Sequence, residues 1–359
     1  MYKQFIIKEI NYIKGISILL VFIGHAATPS FLERPYMYEF IVQLIYSFHM
    51  PLFFLVSGFL SYKVIDMNFK EEYFNYVKSK FYRLIVPFLT ISFITNFMIF
   101  ILKYIINEPV TINSLIDMIK TIILYPENGV MGSLWFLYTL FIISIISPLI
   151  TKLPMKITLT LALLLNILVP QYKNFLAISR ISFFLIYFLI GLYFRKYCFN
   201  NKKIDINSMA MLKKVVIYII SLICILYYSY IMANQIHISR YMLSILNFLC
   251  GLFGMILILM IIDKISNLKI CTKILSFLGR YSIDIYLLSW FFQIASMILI
   301  DKILKITNYN IFFICNIVIG SLCVPFSIYI LRRFAILKFL LLGEKSVKNW
   351  SIKSLNFNK

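Results

Sequence analysis

The sequence predicts an all-α integral membrane protein, a bundle of about ten transmembrane helices with both termini cytoplasmic. Composition carries the first part of that reading: 62% of the 359 residues are hydrophobic and only 14% are charged. The mean hydropathy is +0.90, far from the balance of a soluble domain. Second, near-uninterrupted apolar runs of about 15 to 25 residues recur along the chain, long enough to cross a hydrocarbon core of roughly 30 Å. Lipid offers no partner to an open backbone N–H or C=O, so such runs read as helices. Third, the basic residues crowd alternate loops, which sets the orientation.

The runs fall at about 13–31, 40–62, 84–106, 133–150, 157–171, 181–195, 215–233, 241–262, 281–300 and 311–331. The fifth is short and is the one open to a re-entrant reading. With the N-terminus inside, most of the 35 Lys and Arg gather on the inner side, around 3–14, 63–83, 152–156, 195–214, 264–280 and 332–359. An even number of spans then returns the C-terminus to the same side. The loop 63–83, with Phe69, Tyr73, Phe74, Tyr76 and Phe81 among its charges, reads as an amphipathic helix lying at the interface. The segment 107–132 carries Glu108, Asp117 and Glu127 and reads as an amphipathic re-entrant piece. No loop is long enough for a separate domain, so residues 1–359 are expected to form a single membrane domain.

The net charge of +21 does not indicate nucleic acid, because it is scattered over short loops instead of being gathered on a soluble face. Topology and contact with anionic membrane lipids account for it. The six cysteines lie mostly in or beside spans without metal-ligand spacing, so no metal is expected and they read as small packing residues. The first span lacks a small-residue cleavage site and is read as a resident span, not a signal peptide.

Ionisable residues inside spans are costly and therefore informative. His25 ends the stretch "KGISILLVFIGH", and His49 lies in "FHMPLFFLVSGF" on the next, antiparallel span. At a rise of about 1.5 Å per residue, His25 lies roughly 18 Å from the start of its span, and His49 about 13 Å from the opposite face. Both therefore arrive at a similar depth. Pro51 removes a backbone donor and is expected to kink span two, and Gly58 permits close helix approach. Nearer the inner face, Lys14, Lys80 and Arg83, with Arg280 and Asp284, form a second polar level. As boundary charges they follow the topology rule; as a group they would make a basic mouth for a phosphorylated donor. Lys14 and His25 are eleven residues apart, about 16 Å and three turns along one helix face. The third histidine, His237, falls in a short loop.

Five stretches together resemble the acyltransferase-3 family of integral membrane acyltransferases, most closely its fucose 4-O-acetylase-like branch. They are "NYIKGISILLVFIGH" (11–25), "YSFHMPLFFLVSGFL" (46–60), "KFYRLIVPFL" (80–89), "GSLWFLYTLF" (132–141) and "LGRYSIDIYLL" (278–288). They occur in family order and cover nearly the whole chain. Lys14 and His25 match the family's basic residue, ten intervening residues and histidine; Lys80 and Arg83 match its pair of basic residues three apart. The resemblance implies a ten-helix enzyme of the cell membrane that takes an acyl group, usually acetyl from cytoplasmic acetyl-CoA. The acceptor it implies is a hydroxyl of a cell-surface polysaccharide or its lipid-linked glycan precursor, within reach of the glycan-synthesis machinery. Asn11 stands where the branch usually has Asp, and Ser289 where many members have His. With no soluble extracytoplasmic domain after the last span, the membrane unit is expected to deliver the acyl group itself.

O-acylation from a thioester needs a base for the attacking hydroxyl and stabilisation of the oxyanion. His25 is the expected general base, with His49 orienting it or hydrogen-bonding substrate; an acyl-histidine intermediate stays open. Lys14, Lys80 and Arg83 are the expected phosphate contacts of acetyl-CoA, and Ser57, Trp135 and Tyr286 candidate substrate-pocket residues. The alternative is a polysaccharide or glycolipid exporter without acyl transfer. Internal pseudo-symmetry and paired broken helices would favour that alternative, and the sequence shows neither.

Overall fold

The computed structural model of the chain describes residues 2–26, 32–68, 72–105, 112–169, 175–199, 211–265 and 268–344. Lys70, Lys202, Lys203 and the basic tail from Lys345, used above to orient the chain, and Glu108 of the segment read as re-entrant lie outside the described residues. Every regular element within them is helical. Among the described residues, nine helices are long and apolar enough to cross a membrane: 9–26, 36–60, 72–101, 132–150, 175–197, 215–233, 240–265, 282–303 and 309–333. The predicted fifth span is a shorter apolar helix, Met155–Leu168. These apolar helices define a multi-pass membrane protein.

Proline sets where the spanning segments break. Span two is two helices, α2 (Tyr36–Tyr46) and α3 (His49–Leu60), separated at Ser47 and Phe48. Pro51 has no N–H to offer the Ser47 carbonyl, so the α-helical ladder cannot run through. Between them and α1 (Tyr2–Ala26) on one side, and the third span on the other, only short connections intervene. The third span differs from the sequence expectation. Instead of a separate interfacial helix, α4 (Glu72–Lys80) continues through a π-turn at Phe81–Ile85 into α5 (Val86–Ile105). Pro87 cannot donate to the Arg83 carbonyl, which explains a wide turn at this point. Two aromatics of α4, Tyr73 and Tyr76, pack against the core while Phe74 stays exposed, and Tyr73 donates to the Ile145 carbonyl at 3.1 Å.

The segment read as re-entrant contains an amphipathic helix, α6 (Ile112–Leu124). Then follow α7 (Trp135–Ile150), α8 (Met155–Leu168), α9 (Ile178–Tyr193), α10 (Met211–Ala233) and α11 (Arg240–Ile265). Within α7, Pro148 frees the Ser144 carbonyl, and the Ser147 hydroxyl donates to it at 2.8 Å. Helix α12 (Lys269–Arg280) is an amphipathic helix that the sequence reading missed, and it packs along α1. The chain ends with α13 (Ser282–Ile298), α14 (Tyr309–Ser321), α15 (Cys323–Tyr329) and α16 (Ala335–Leu342). Pro325 breaks the last span at Leu322 by the same loss of a donor, here to Ser321.

Packing is close where α3 crosses α9. A Cβ at Gly58 would lie 1.9 Å from the Phe188 carbonyl oxygen, and one at Gly191 2.0 Å from that of Leu55. Small residues of this kind allow membrane helices to touch backbone to backbone, since lipid supplies no hydrophobic drive between them. Around the crossing lie Leu52, Phe54, Tyr187, Phe188 and Leu189, all fully buried. By contrast, Ile219, Ile220, Ile223 and Tyr227 stand exposed along α10, as a lipid-facing surface requires. Gly58→Ala is therefore expected to lower the melting temperature of the detergent-solubilised protein. Gly129→Ala, whose Cβ would meet nothing closer than 3.7 Å, is expected to leave it unchanged.

Candidate active site: two cavities sharing Tyr286

Lys14, Lys80, Arg83, Ser57 and Tyr286 come together on one cavity of about 410 Å³. Lys14 projects from α1, Lys80 from the last turn of α4 and Arg83 from the π-turn that follows. Lys80 Nζ donates to Ser61 Oγ at 3.2 Å and lies 5.2 Å from the centre of the Tyr76 ring. Among the described residues, none of the three cations has a carboxylate within ion-pair distance. Three cations on one concave wall without acidic partners make a site for an anion.

A second cavity, of about 360 Å³, is lined by His25, His49, Trp135, Arg180 and, again, Tyr286. The two cavities share Val21, Met50 and Tyr286, so α1, α3 and α13 form their common wall. Tyr286 is fixed there by a hydrogen bond from its hydroxyl to the Ser133 carbonyl. The histidines are brought together, with the Tyr46 ring 6.4 Å from that of His25 and 5.1 Å from that of His49. Ser57 opens only onto the basic cavity, and Trp135 only onto the histidine cavity.

Each histidine is held by a local consequence of helix ends. At the break before α3 the Ile45 carbonyl accepts from the Phe48 N–H at 3.4 Å, and His49 Nδ1 lies 2.8 Å from it. A carbonyl can only accept, so Nδ1 carries the hydrogen; in the neutral ring the lone pair is then on Nε2. His25 sits one residue before the C-terminus of α1, where the final carbonyls have no intrahelical donors. Gln293 donates to the Phe22 carbonyl at 3.2 Å and Asn316 to that of Ala26 at 3.0 Å. Side chains of α13 and α14 thus pin the turn that carries His25.

Asp284 and Arg280, read from the sequence as part of the basic mouth, line neither cavity. Asp284 is fully buried and accepts two hydrogen bonds from Arg332, both 2.8 Å, and one from Ser327 at 2.5 Å. Arg332 also donates to Glu344 at 3.2 and 3.3 Å. A carboxylate this deep needs full pairing, so Asp284 is a clamp and not a contact for ligand. Beside Glu344, Gly343 adopts φ +64°, and a Cβ there would lie 2.4 Å from the Tyr82 carbonyl oxygen. The end of α16 therefore rests on the π-turn that carries Arg83.

Arg180 was missed by the sequence reading. Its Nε and Nη2 lie 3.1 and 3.2 Å from the two carboxylate oxygens of Glu127, and its guanidinium carbon 4.8 Å from the Trp135 ring centre. The residues before its helix are strained: Leu176 and Ala177 have φ of 50° and 54°, at roughly 1–2 kcal/mol each for a residue with a side chain. One signal was present, since Arg180 opens a span at the end where basic residues are otherwise sparse. Among the described residues, no three His, Cys, Asp or Glu side chains come together as a metal site.

Helices that span a membrane, a cationic cavity and an adjoining histidine cavity define an integral membrane protein with the makings of a group-transfer site. The family model described as "Acyltransferase domain" matches residues 7–330, and the chain belongs to the acyltransferase-3 family. It is a membrane acyltransferase. Comparison with curated proteins and with solved structures found no match.

Proposed function

We propose that the protein is an O-acyltransferase that carries acetyl from cytoplasmic acetyl-CoA to a hydroxyl of a cell-surface polysaccharide or its lipid-linked precursor. The observation that carries this reading is the basic cavity, whose Lys14, Lys80 and Arg83 lack acidic partners among the described residues and suit the CoA phosphates. In this reading the basic end faces the cytoplasm, and the acyl-bearing arm passes the shared wall at Met50 and Tyr286 to reach the histidines. The helical distance from Lys14 to His25, about 16 Å, matches an extended donor gripped at one end and reacting at the other. His25 takes the proton from the acceptor hydroxyl as its oxygen bonds to the thioester carbonyl. His49, anchored through Nδ1, accepts a hydrogen bond from the acceptor at Nε2. Collapse of the tetrahedral intermediate breaks the C–S bond, and the proton on His25 passes to the departing thiolate.

The fucose 4-O-acetylase-like resemblance supports acetyl as the acyl group. Surface glycans of cells with and without the protein, compared by mass spectrometry, test the reading: an acetyl mass increment on a glycan hydroxyl is expected. No increment, with glycan export altered instead, would replace it with the exporter. Lys14→Ala is expected to raise KM for acetyl-CoA about tenfold, the loss of one charge-assisted hydrogen bond, with kcat little changed. Unchanged KM would reduce Lys14 to a topology charge.

A further inference from the structure

We infer that Arg180 stabilises the oxyanion of the transfer reaction, donating from its guanidinium to the thioester carbonyl oxygen as that oxygen gains charge. The inference rests on the acyl-transfer reading and assigns the one part that reading leaves open. A base alone does not make a thioester reactive towards a hydroxyl; a donor fixed where negative charge develops contributes at least as much.

The case for Arg180 comes from the lining of the histidine cavity. Several of its other donors are already committed. Gln43 donates to Glu39 at 2.6 Å, Ser47 to the Leu44 carbonyl at 2.7 Å, and Tyr286 to the Ser133 carbonyl. His49 spends its Nδ1 hydrogen on Ile45. Among the described residues, Arg180 is the only Lys or Arg that lines this cavity. Its bonds to Glu127 use the Nε–Nη2 edge of the fork, which leaves the Nη1 hydrogens and the second Nη2 hydrogen at the other end. Glu127, whose side chain is 8% exposed, and Trp135 hold the group from two sides, so its orientation is set before substrate arrives.

The pairing also decides what Arg180 is for. It makes a rigid donor that need not reorganise when the carbonyl polarises. The two left-handed residues ahead of α9 agree with a position held against local strain. In the step itself, the acceptor oxygen bonds to the carbonyl carbon while its proton moves to His25. The carbonyl electron pair moves onto oxygen against Arg180, and returns to re-form the C=O as the C–S bond breaks.

The test uses membranes from cells producing the full chain, with radiolabelled acetyl-CoA as the donor probe, and reads alkali-labile label. Binding of CoA to the purified protein reports the folded state. Arg180→Gln is expected to lower kcat about 10²–10³-fold, with KM for acetyl-CoA and CoA binding within about twofold of wild type. Arg180→Lys, which keeps a cation but not the fork, is expected to fall between. An unchanged kcat in Arg180→Gln, or a defect confined to KM, overturns the assignment. Should Arg180→Gln lose CoA binding, Arg180→Lys decides: wild-type kcat overturns the role, and a lowered kcat with CoA bound normally supports it. Wild-type membranes that incorporate no alkali-labile label overturn the acyl-transfer reading itself, and the role of Arg180 with it.

Discussion

His25→Ala is expected to reduce acyl transfer about 10²–10⁴-fold, the range for loss of a positioned general base. The turn that carries His25 is also held by side chains of other helices. Gln293 and Asn316 hold its carbonyls from neighbouring helices, and Ser17, Ile18 and Ala26 of α1 are buried. The variant should therefore insert, melt near the wild-type temperature and still bind CoA at the basic cavity some three turns away. His49→Ala should cost less in turnover, about 10–100-fold for a lost hydrogen bond to a charge-developing group. It should cost more in stability, because the Ile45 carbonyl at the helix break is then left with the long 3.4 Å bond from the Phe48 N–H. Alkali-labile acetyl label per folded chain separates the two. Wild-type transfer by His25→Ala would remove it as the base.

What the sequence made legible here was whatever composition and short-range spacing encode. The spans followed from apolar runs, the break in span two from Pro51, and the close α3–α9 crossing in part from Gly58. The two histidines on one cavity followed from counting residues along antiparallel helices. What stayed hidden depends on contacts between distant positions. Arg180, passed over in the sequence, finds Glu127 53 residues away, and Asp284, which looked like a boundary charge, finds Arg332 48 residues away. Helix α12 was passed over because its amphipathic pattern is too polar for a span, while its partner, α1, shows no pattern that names it. Gly15 and Gly279 mark that contact: a Cβ at either would lie within 2.2 Å of a carbonyl oxygen of the other helix.

Arg332→Ala is expected to have the largest effect on stability. It leaves Asp284 fully buried with only Ser327 to answer its charge, and breaking a buried ion pair from one side costs about 3–5 kcal/mol. The loss should spread to the donor site. Arg332 and Lys338 hold Glu344, next to Gly343, which rests on the backbone of Tyr82 and Arg83. Weaker CoA binding should therefore accompany the lower melting temperature. The companion variant Asp284→Ala/Arg332→Met removes both charges and should recover much of the stability, since no buried charge is left unmatched. Acid titration gives an independent check. Burial alone would raise the Glu344 carboxyl, but Arg332 and Lys338 outweigh it and hold the group below its ordinary value. A depressed folded value means its contribution is present above about pH 4.3, the ordinary glutamate range, and is lost as pH falls through the folded value. Wild type should lose that increment on acidification, and Arg332→Ala should lose less of it. An Arg332→Ala protein as stable as wild type, with the same acid response, would show that the clamp does not hold α16 against the π-turn.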